Sequence, residues 1–159
     1  MKTAVVYYSY SGNCRYVADK IARNINADLI GLKTVDSYPD KRAKNFYFGG
    51  KSALMGETPK LKPYEFKAND YDLIIIGLPV WAASITPPIN TFLKENDLKG
   101  KKIAGYACCS IGGTERVLNK LESELGTKLV ARLGLKDPKD RQSAGNDEKI
   151  NEFCKKLGA

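Results

Sequence analysis

The chain has 159 residues, of which 43% are hydrophobic and 28% charged, so its length and composition predict one domain over residues 1–159 with a sizeable core. It has no histidine, which excludes Ser-His-Asp and Cys-His catalytic groups and histidine-based zinc sites. The net charge of +8 suits nucleic acid, a membrane surface or an acidic protein, and the sign alone does not choose among them. An enzyme of this composition would depend on a cofactor for its catalytic chemistry.

No apolar run approaches the roughly 20 residues that span a bilayer. The first residues lead directly into a predicted strand, so we expect neither a membrane segment nor a signal peptide. The four cysteines lack the spacing of a metal site or a disulfide framework; they are Cys14, Cys108, Cys109 and Cys154. They fit small buried side chains in a reducing cytoplasm. A redox-active Cys108-Cys109 pair is the alternative.

Five segments in chain order predict strands, at residues 3–8, 28–35, 71–78, 102–108 and 128–133. The third reads YDLIIIGL, a nearly continuous apolar run that favours a parallel sheet covered on both faces. Helical patterns lie between and after the strands, at residues 17–25, 87–93, 117–125 and 150–157. This alternation predicts a doubly wound, five-stranded α/β domain with helices on both faces of the sheet.

The stretch over residues 41–67 is less regular and predominantly basic. We expect a helix around residues 44–55 and loop beyond it. The interleaved aromatic residues resemble a nucleic-acid-binding strip, but a solvated covering of the sheet is the favoured interpretation. The GGKS segment does not complete a phosphate-binding P-loop, because Asn45 occupies the position of its first glycine.

Ligands of open α/β sheets bind beyond the carboxyl ends of the strands, so three loops are the candidates for a site. The first loop, residues 9–14, joins the first strand to a helix. Its backbone N–H groups can converge at the helix N-terminus, Ser9 and Ser11 add hydroxyl donors, and Gly12 allows close approach. A phosphate site and an ordinary strand-to-helix turn are equally favoured by this loop alone.

The second loop, residues 77–88, contains the single tryptophan of the chain, Trp81. Its position suits stacking on a flat aromatic ligand, and the alternative is a ring packed beneath its own loop. Residues 79–83 include no glycine, so we expect backbone at positive φ to be disfavoured there. In the third loop, residues 108–115, Gly112 and Gly113 permit close backbone approach to a ligand, although Gly113 or Thr114 can instead cap the next helix.

These three loops resemble those of the flavodoxin-like flavoproteins, and the resemblance extends over essentially the whole chain. YSYSGNC is similar to the family's phosphate loop, with Cys14 in place of the usual threonine. GLPVWAASITPPINTFL is similar to the loop that carries a flavin-stacking aromatic residue, and CCSIGGTE falls at the second flavin loop. The resemblance implies the strand order 2-1-3-4-5 and the cofactor FMN. It implies these cofactor-binding residues and no catalytic or metal-binding ones: Ser9, Tyr10, Ser11, Gly12, Asn13, Cys14, Pro79, Val80, Trp81, Ala82, Cys109, Ser110, Gly112 and Gly113.

The resemblance implies a cytoplasmic redox protein that passes electrons to a protein partner, which the basic charge predicts to have an acidic surface. An NAD(P)H-dependent flavin or quinone reductase is the alternative, and a binding module with a vestigial flavin site is a further one. We expect a monomer or a homodimer that binds neither nucleic acid nor membrane.

Overall fold

The computed structural model describes residues 1–38, 53–141 and 144–158. Within them the strands are β1 (Thr3–Tyr7), β2 (Asp28–Gly31), β3 (Leu73–Pro79), β4 (Lys102–Cys109) and β5 (Arg132–Lys136). The α-helices are α1 (Asn13–Ile25), α2 (Pro87–Glu95), α3 (Thr114–Leu125) and α4 (Ala144–Lys156). A short 3-10 helix, Ala68–Asp70, precedes β3.

The five strands form one parallel sheet in the order β2-β1-β3-β4-β5. The register places Val5 of β1 beside Ile75 of β3, and Ile75 beside Ala104 of β4. The predicted topology and strand order are therefore confirmed. Chain order reverses between β1 and β3, the position where ligands of doubly wound sheets bind.

Helices cover both faces of the sheet, as the apolar run in β3 predicts. Successive side chains of a strand point to opposite faces, so Ile74 and Ile76 join one core while Leu73 and Ile75 join the other. The first core includes residues of α2 and α3, such as Phe92. The second includes residues of α1 and α4. No residue in the middle of β3, from 73 to 78, is more than slightly exposed.

Two predicted strands differ from the observed ones. β2 ends at Gly31 instead of residue 35, because the chain then turns to form an antiparallel bridge between Thr34 and Leu61. β5 covers residues 132–136 instead of 128–133, because the backbone N–H of Leu129 donates to Glu122 Oε1 at 3.0 Å. That bond holds the first predicted residues in the connection from α3. The bounds of β1, β3 and β4 lie within two residues of those predicted.

Most of the helix predicted at 44–55 lies outside the described residues. The described part of this basic stretch covers the sheet, as expected, because Ala53 and Leu61 are buried and Tyr64 and Phe66 pack against the first core. Within the described portion of the chain, no helix has the length and apolar character needed to cross a membrane.

Candidate functional site

Four loops meet at the carboxyl edge of the sheet and enclose a cavity of about 290 Å³. Three of them are the predicted loops, and the fourth, residues 137–141, follows β5. The lining residues are Tyr10, Ser11, Asn13, Pro79, Val80, Trp81, Ala82, Ala83, Cys108, Cys109, Ser110, Ile111, Gly112 and Asp140. The cavity thus combines apolar walls from the second loop with polar groups from the first and fourth.

The first loop delivers the N-terminus of α1 to the cavity edge. Gly12 lies at φ 95°, a left-handed conformation that glycine adopts without strain, and the helix begins at the next residue. The first N–H groups of a helix have no partner within it, and Ser9 Oγ accepts the bond from the N–H of Arg15 at 3.1 Å. The Ser9 hydroxyl proton, like that of Ser11, stays available for donation. This end of the cavity therefore offers neutral donors and the positive end of a helix dipole.

The body of the sheet fixes the position of the first loop. The buried Tyr106 of β4 donates its hydroxyl proton to the carbonyl oxygen of Cys14 at 2.8 Å. The ring passes directly over Gly77 of β3, where a Cβ would lie 2.0 Å from Tyr106 Cζ. Only a residue without a side chain at 77 leaves room for this contact.

In the second loop, Trp81 lies half-buried among three tyrosines. The ring centroids of Tyr8, Tyr10 and Tyr38 lie 5.7, 6.2 and 5.2 Å from that of Trp81, all in edge-on arrangements. Burial, and then the neighbouring Tyr38, raise the pKa of the Tyr8 hydroxyl, so that group is neutral. Trp81 both packs against these rings and lines the cavity. The ring therefore packs in part against its own surroundings, and its stacking on a flat aromatic ligand stays a prediction.

The expectation that the second loop avoids positive φ is wrong. Ala82 and Ala83 have φ of 49° and 50°, and the N–H of Ser84 donates to the carbonyl oxygen of Trp81 at 3.0 Å. Positive φ at both central residues defines a type I′ turn. Lys120 Nζ holds the far end of the turn through Ser84 Oγ at 2.8 Å. Tertiary contacts thus maintain a conformation that alanine disfavours.

The third and fourth loops are joined by hydrogen bonds. Ser110 Oγ donates to Asp137 Oδ1 at 2.9 Å, and the N–H of Asp137 donates to the carbonyl oxygen of Cys109 at 2.9 Å. Gly113, at φ 93°, is the N-cap residue of α3. Ile111 at the tip of the third loop is 79% exposed. The loop therefore carries an apolar side chain at the outer edge of the cavity.

The fourth loop is not among the predicted loops, because the predicted fifth strand begins four residues before β5. Asn13 Oδ1 accepts a hydrogen bond from the backbone N–H of Lys139 at 2.9 Å, and Asn13 Nδ2 donates to Ser11 Oγ at 3.2 Å. The Asn13 side chain therefore ties the first loop to the fourth. Asp140 lines the cavity. The alternating pattern of RLGLK at 132–136 was the available signal for the true strand.

Two cysteine thiols at the site, those of Cys108 and Cys109, have a raised pKa and are protonated near neutral pH. Cys14 is turned into the second core, where its thiol and that of Cys108, both free, lie in hydrogen-bonding contact; this contact and then burial raise the pKa of Cys108 well above its ordinary value. Burial likewise raises the pKa of the half-buried Cys109. The prediction of mostly buried cysteines is confirmed. Cys14 can offer the cavity only its backbone, since its thiol faces away.

The structure brings most of the predicted cofactor-binding residues to the cavity wall. Four predicted residues do not line it: Ser9, Gly12, Cys14 and Gly113. Ser9 and Gly12 shape the first loop beside the cavity, and Gly113 of the third loop faces Val80 and Ala83 of the second. Four lining residues were not predicted: Ala83, Cys108, Ile111 and Asp140. No group of three or more potential metal ligands occurs within the described ranges.

A comparison of the chain with models of protein families shows to which family it belongs. The model of the flavodoxin family matches residues 2–135. The chain belongs to the flavodoxin family. Among curated proteins, none is similar enough in sequence to match it.

Solved structures of other flavodoxin-like proteins share this fold. A flavoprotein from Lactobacillus acidophilus NCFM, solved in complex with FMN, is 21% identical, with a TM-score of 0.76 over 96% of this chain and 97% of that one. Its apo-form is 24% identical, with a TM-score of 0.63 over 89% and 97%. Oxidised Flavodoxin 2 from Bacillus cereus is 21% identical, with a TM-score of 0.65 over 99% and 97%.

Proposed function

We propose that this flavodoxin binds FMN in the cavity and passes electrons to a protein partner. The observation that carries the proposal is the convergence of an apolar cavity and a helix N-terminus at the switch point of the sheet. The first loop would hold the phosphate. The second and third loops would hold the flavin ring between them, with Trp81 against one face.

The chemistry of the residues fits this cofactor. Ligand pockets have volumes from about 300 Å³ upward, and the cavity, at about 290 Å³, lies at that lower limit. This volume suits a flat ring system that leaves one edge exposed to solvent. Neutral backbone and hydroxyl donors at a helix N-terminus suit a phosphate dianion. FMN would supply the redox chemistry, while the chain binds it, orients it and shields its faces. The L. acidophilus flavoprotein with FMN bound supports this assignment by its fold.

A carrier is favoured over a catalyst because of what surrounds the cavity. Among its lining residues Asp140 is the one with a charged side chain, so any redox chemistry there would come from the cofactor. Exposed Ile111 and partly exposed Tyr10 stand at the rim, where a partner protein could approach the flavin edge. The charge of +8 favours a partner with an acidic surface. We extend the proposal to a cytoplasmic carrier that acts as a monomer or homodimer.

The test is equilibrium titration of apoprotein with FMN and with riboflavin, which lacks the phosphate. The wild-type chain should bind one FMN, and FMN much more tightly than riboflavin. Gly12→Asp should abolish FMN binding, because a carboxylate at the helix N-terminus would repel and crowd the phosphate dianion. Gly100→Asp is the matched control: Gly100 also lies at positive φ, with no atom within 4 Å of the point that a Cβ would occupy, but outside the site. Absence of FMN binding by the wild-type chain would overturn the proposal.

Steady-state assays separate the carrier from a reductase. The FMN-loaded protein should not oxidise NAD(P)H steadily with a quinone in the absence of another protein. Sustained turnover under those conditions would contradict the carrier proposal and favour the reductase.

A further inference from the structure

The side chain of Lys139 lies across the first loop. Its Nζ lies 3.5 Å from the carbonyl oxygen of Ser11, and 3.2 Å from the point that a Cβ on Gly12 would occupy. The first loop itself contains no lysine or arginine in residues 9–14. The fourth loop therefore brings a cation to a loop that is otherwise neutral.

The backbone around Lys139 is anchored on both sides. Its own N–H bonds the buried Asn13 side chain at 2.9 Å. Two residues earlier, Asp137 is held by Cys109 and Ser110 of the third loop. The position of the Lys139 backbone is thus fixed by contacts that do not involve its ammonium group.

The Lys139 ammonium has a carbonyl neighbour but no carboxylate partner in the described part of the chain. Asp137 instead pairs with Arg141, at 3.8 Å between Oδ2 and Nε. A cation held beside helix N–H groups strengthens an anion site, because both attract the same charge.

We propose that Lys139 binds the phosphate of the cofactor and sets the preference for phosphorylated over unphosphorylated flavin. This inference rests on the proposed binding of FMN. The ammonium would exchange its long bond to the Ser11 carbonyl for a charge-assisted bond to a phosphate oxygen. The site would then combine neutral donors from the first loop with one cation from the fourth.

The test compares FMN and riboflavin binding in Lys139→Gln, Lys139→Arg and the control Lys99→Gln. Lys99 is exposed, and its neighbour Gly100 lies in the connection before β4, away from the site. Lys139→Gln should weaken FMN binding about three- to tenfold, as expected for one partly solvated charged contact. It should leave riboflavin binding within about twofold, since the Asn13 bond uses the backbone. Lys139→Arg and Lys99→Gln should retain the wild-type FMN-to-riboflavin ratio.

Equal weakening of both flavins by Lys139→Gln, or no change in either, would overturn the role of Lys139. If Lys139→Gln does not fold, the salt dependence of flavin binding by the wild-type chain tests the role of Lys139 instead. Added salt should reduce the affinity for FMN but not that for riboflavin. A ratio of FMN to riboflavin affinity that does not change with salt would contradict the inference. Failure of the wild-type chain to bind FMN at any salt concentration would instead refute the proposed function, so the two failures are distinguishable.

Discussion

At the scale of single residues, the two left-handed alanines of the second loop show how tertiary structure overrides local preference. Nothing in PVWAA indicates positive φ, and the sequence predicts the opposite. The turn forms because Ser84 bonds Trp81 across it and Lys120 anchors Ser84. The Lys120 contact comes from a residue distant in the chain, so no local pattern could reveal it.

Replacing Ala82 with glycine should therefore stabilise the protein. Ala82 is exposed and lies at φ 49°, so glycine relieves the strain and loses little packing. We expect the free energy of unfolding to rise by about 1 kcal/mol, measured by urea denaturation. Ala27→Gly is the control, because Ala27 is not among the residues at positive φ, and it should lower stability. A destabilised Ala82→Gly variant would show that the turn is unstrained.

At the scale of elements, the sequence predicts β3 closely and places β5 too early. The apolar run of β3 marks a strand buried on both faces, and its predicted bounds are nearly the observed ones. The first loop was found because its serines and glycine follow a strand directly. β5 was misplaced because Glu122 of α3 captures the N–H of Leu129, a contact without a local signal. Because of that displacement, the sequence does not predict the fourth loop, with Lys139 and Asp140, as part of the site.

Glu122 links α3 to the segment before β5 and should make stability depend on pH. Its carboxylate accepts bonds from Leu129 and Lys128 at 3.0 Å each, and Arg132 lies 3.4 Å away. The bond from the Leu129 N–H, then that from Lys128, lower the pKa of Glu122 from its usual 4.5. A lowered folded-state pKa contributes stability above the unfolded pKa, and this contribution is lost as pH falls through the folded pKa.

We expect Glu122→Gln to cost about 1–2 kcal/mol of stability at neutral pH, because charge-assisted bonds to the carboxylate are lost. The difference in stability between Glu122→Gln and the wild-type chain should shrink as pH falls below 4.5. Denaturation experiments at each pH measure this difference. Glu124→Gln, at an exposed position of the same helix, should change stability little across that range. A Glu122→Gln deficit that persists unchanged at low pH would contradict the assigned role of the carboxylate.

At the scale of the whole molecule, the doubly wound sheet places every part of the proposed site at one edge. The loops after β1, β3 and β4 could be assigned from sequence because parallel strands end at the same edge. The cavity they enclose depends on distances that the sequence does not encode locally, such as the passage of Tyr106 over Gly77. One consequence of the arrangement is that the single tryptophan of the chain lies in the cavity wall.

The most direct test of FMN binding in this cavity is a fluorescence titration of the apoprotein with FMN. Because Trp81 is the chain's one tryptophan, its emission reports the cavity without contributions from elsewhere. We predict strong quenching that ends at one FMN per chain, well beyond the decrease that FMN causes in a free tryptophan amide at equal absorbance. Emission that follows the free amide throughout, at FMN concentrations up to saturation, would contradict FMN binding in this cavity.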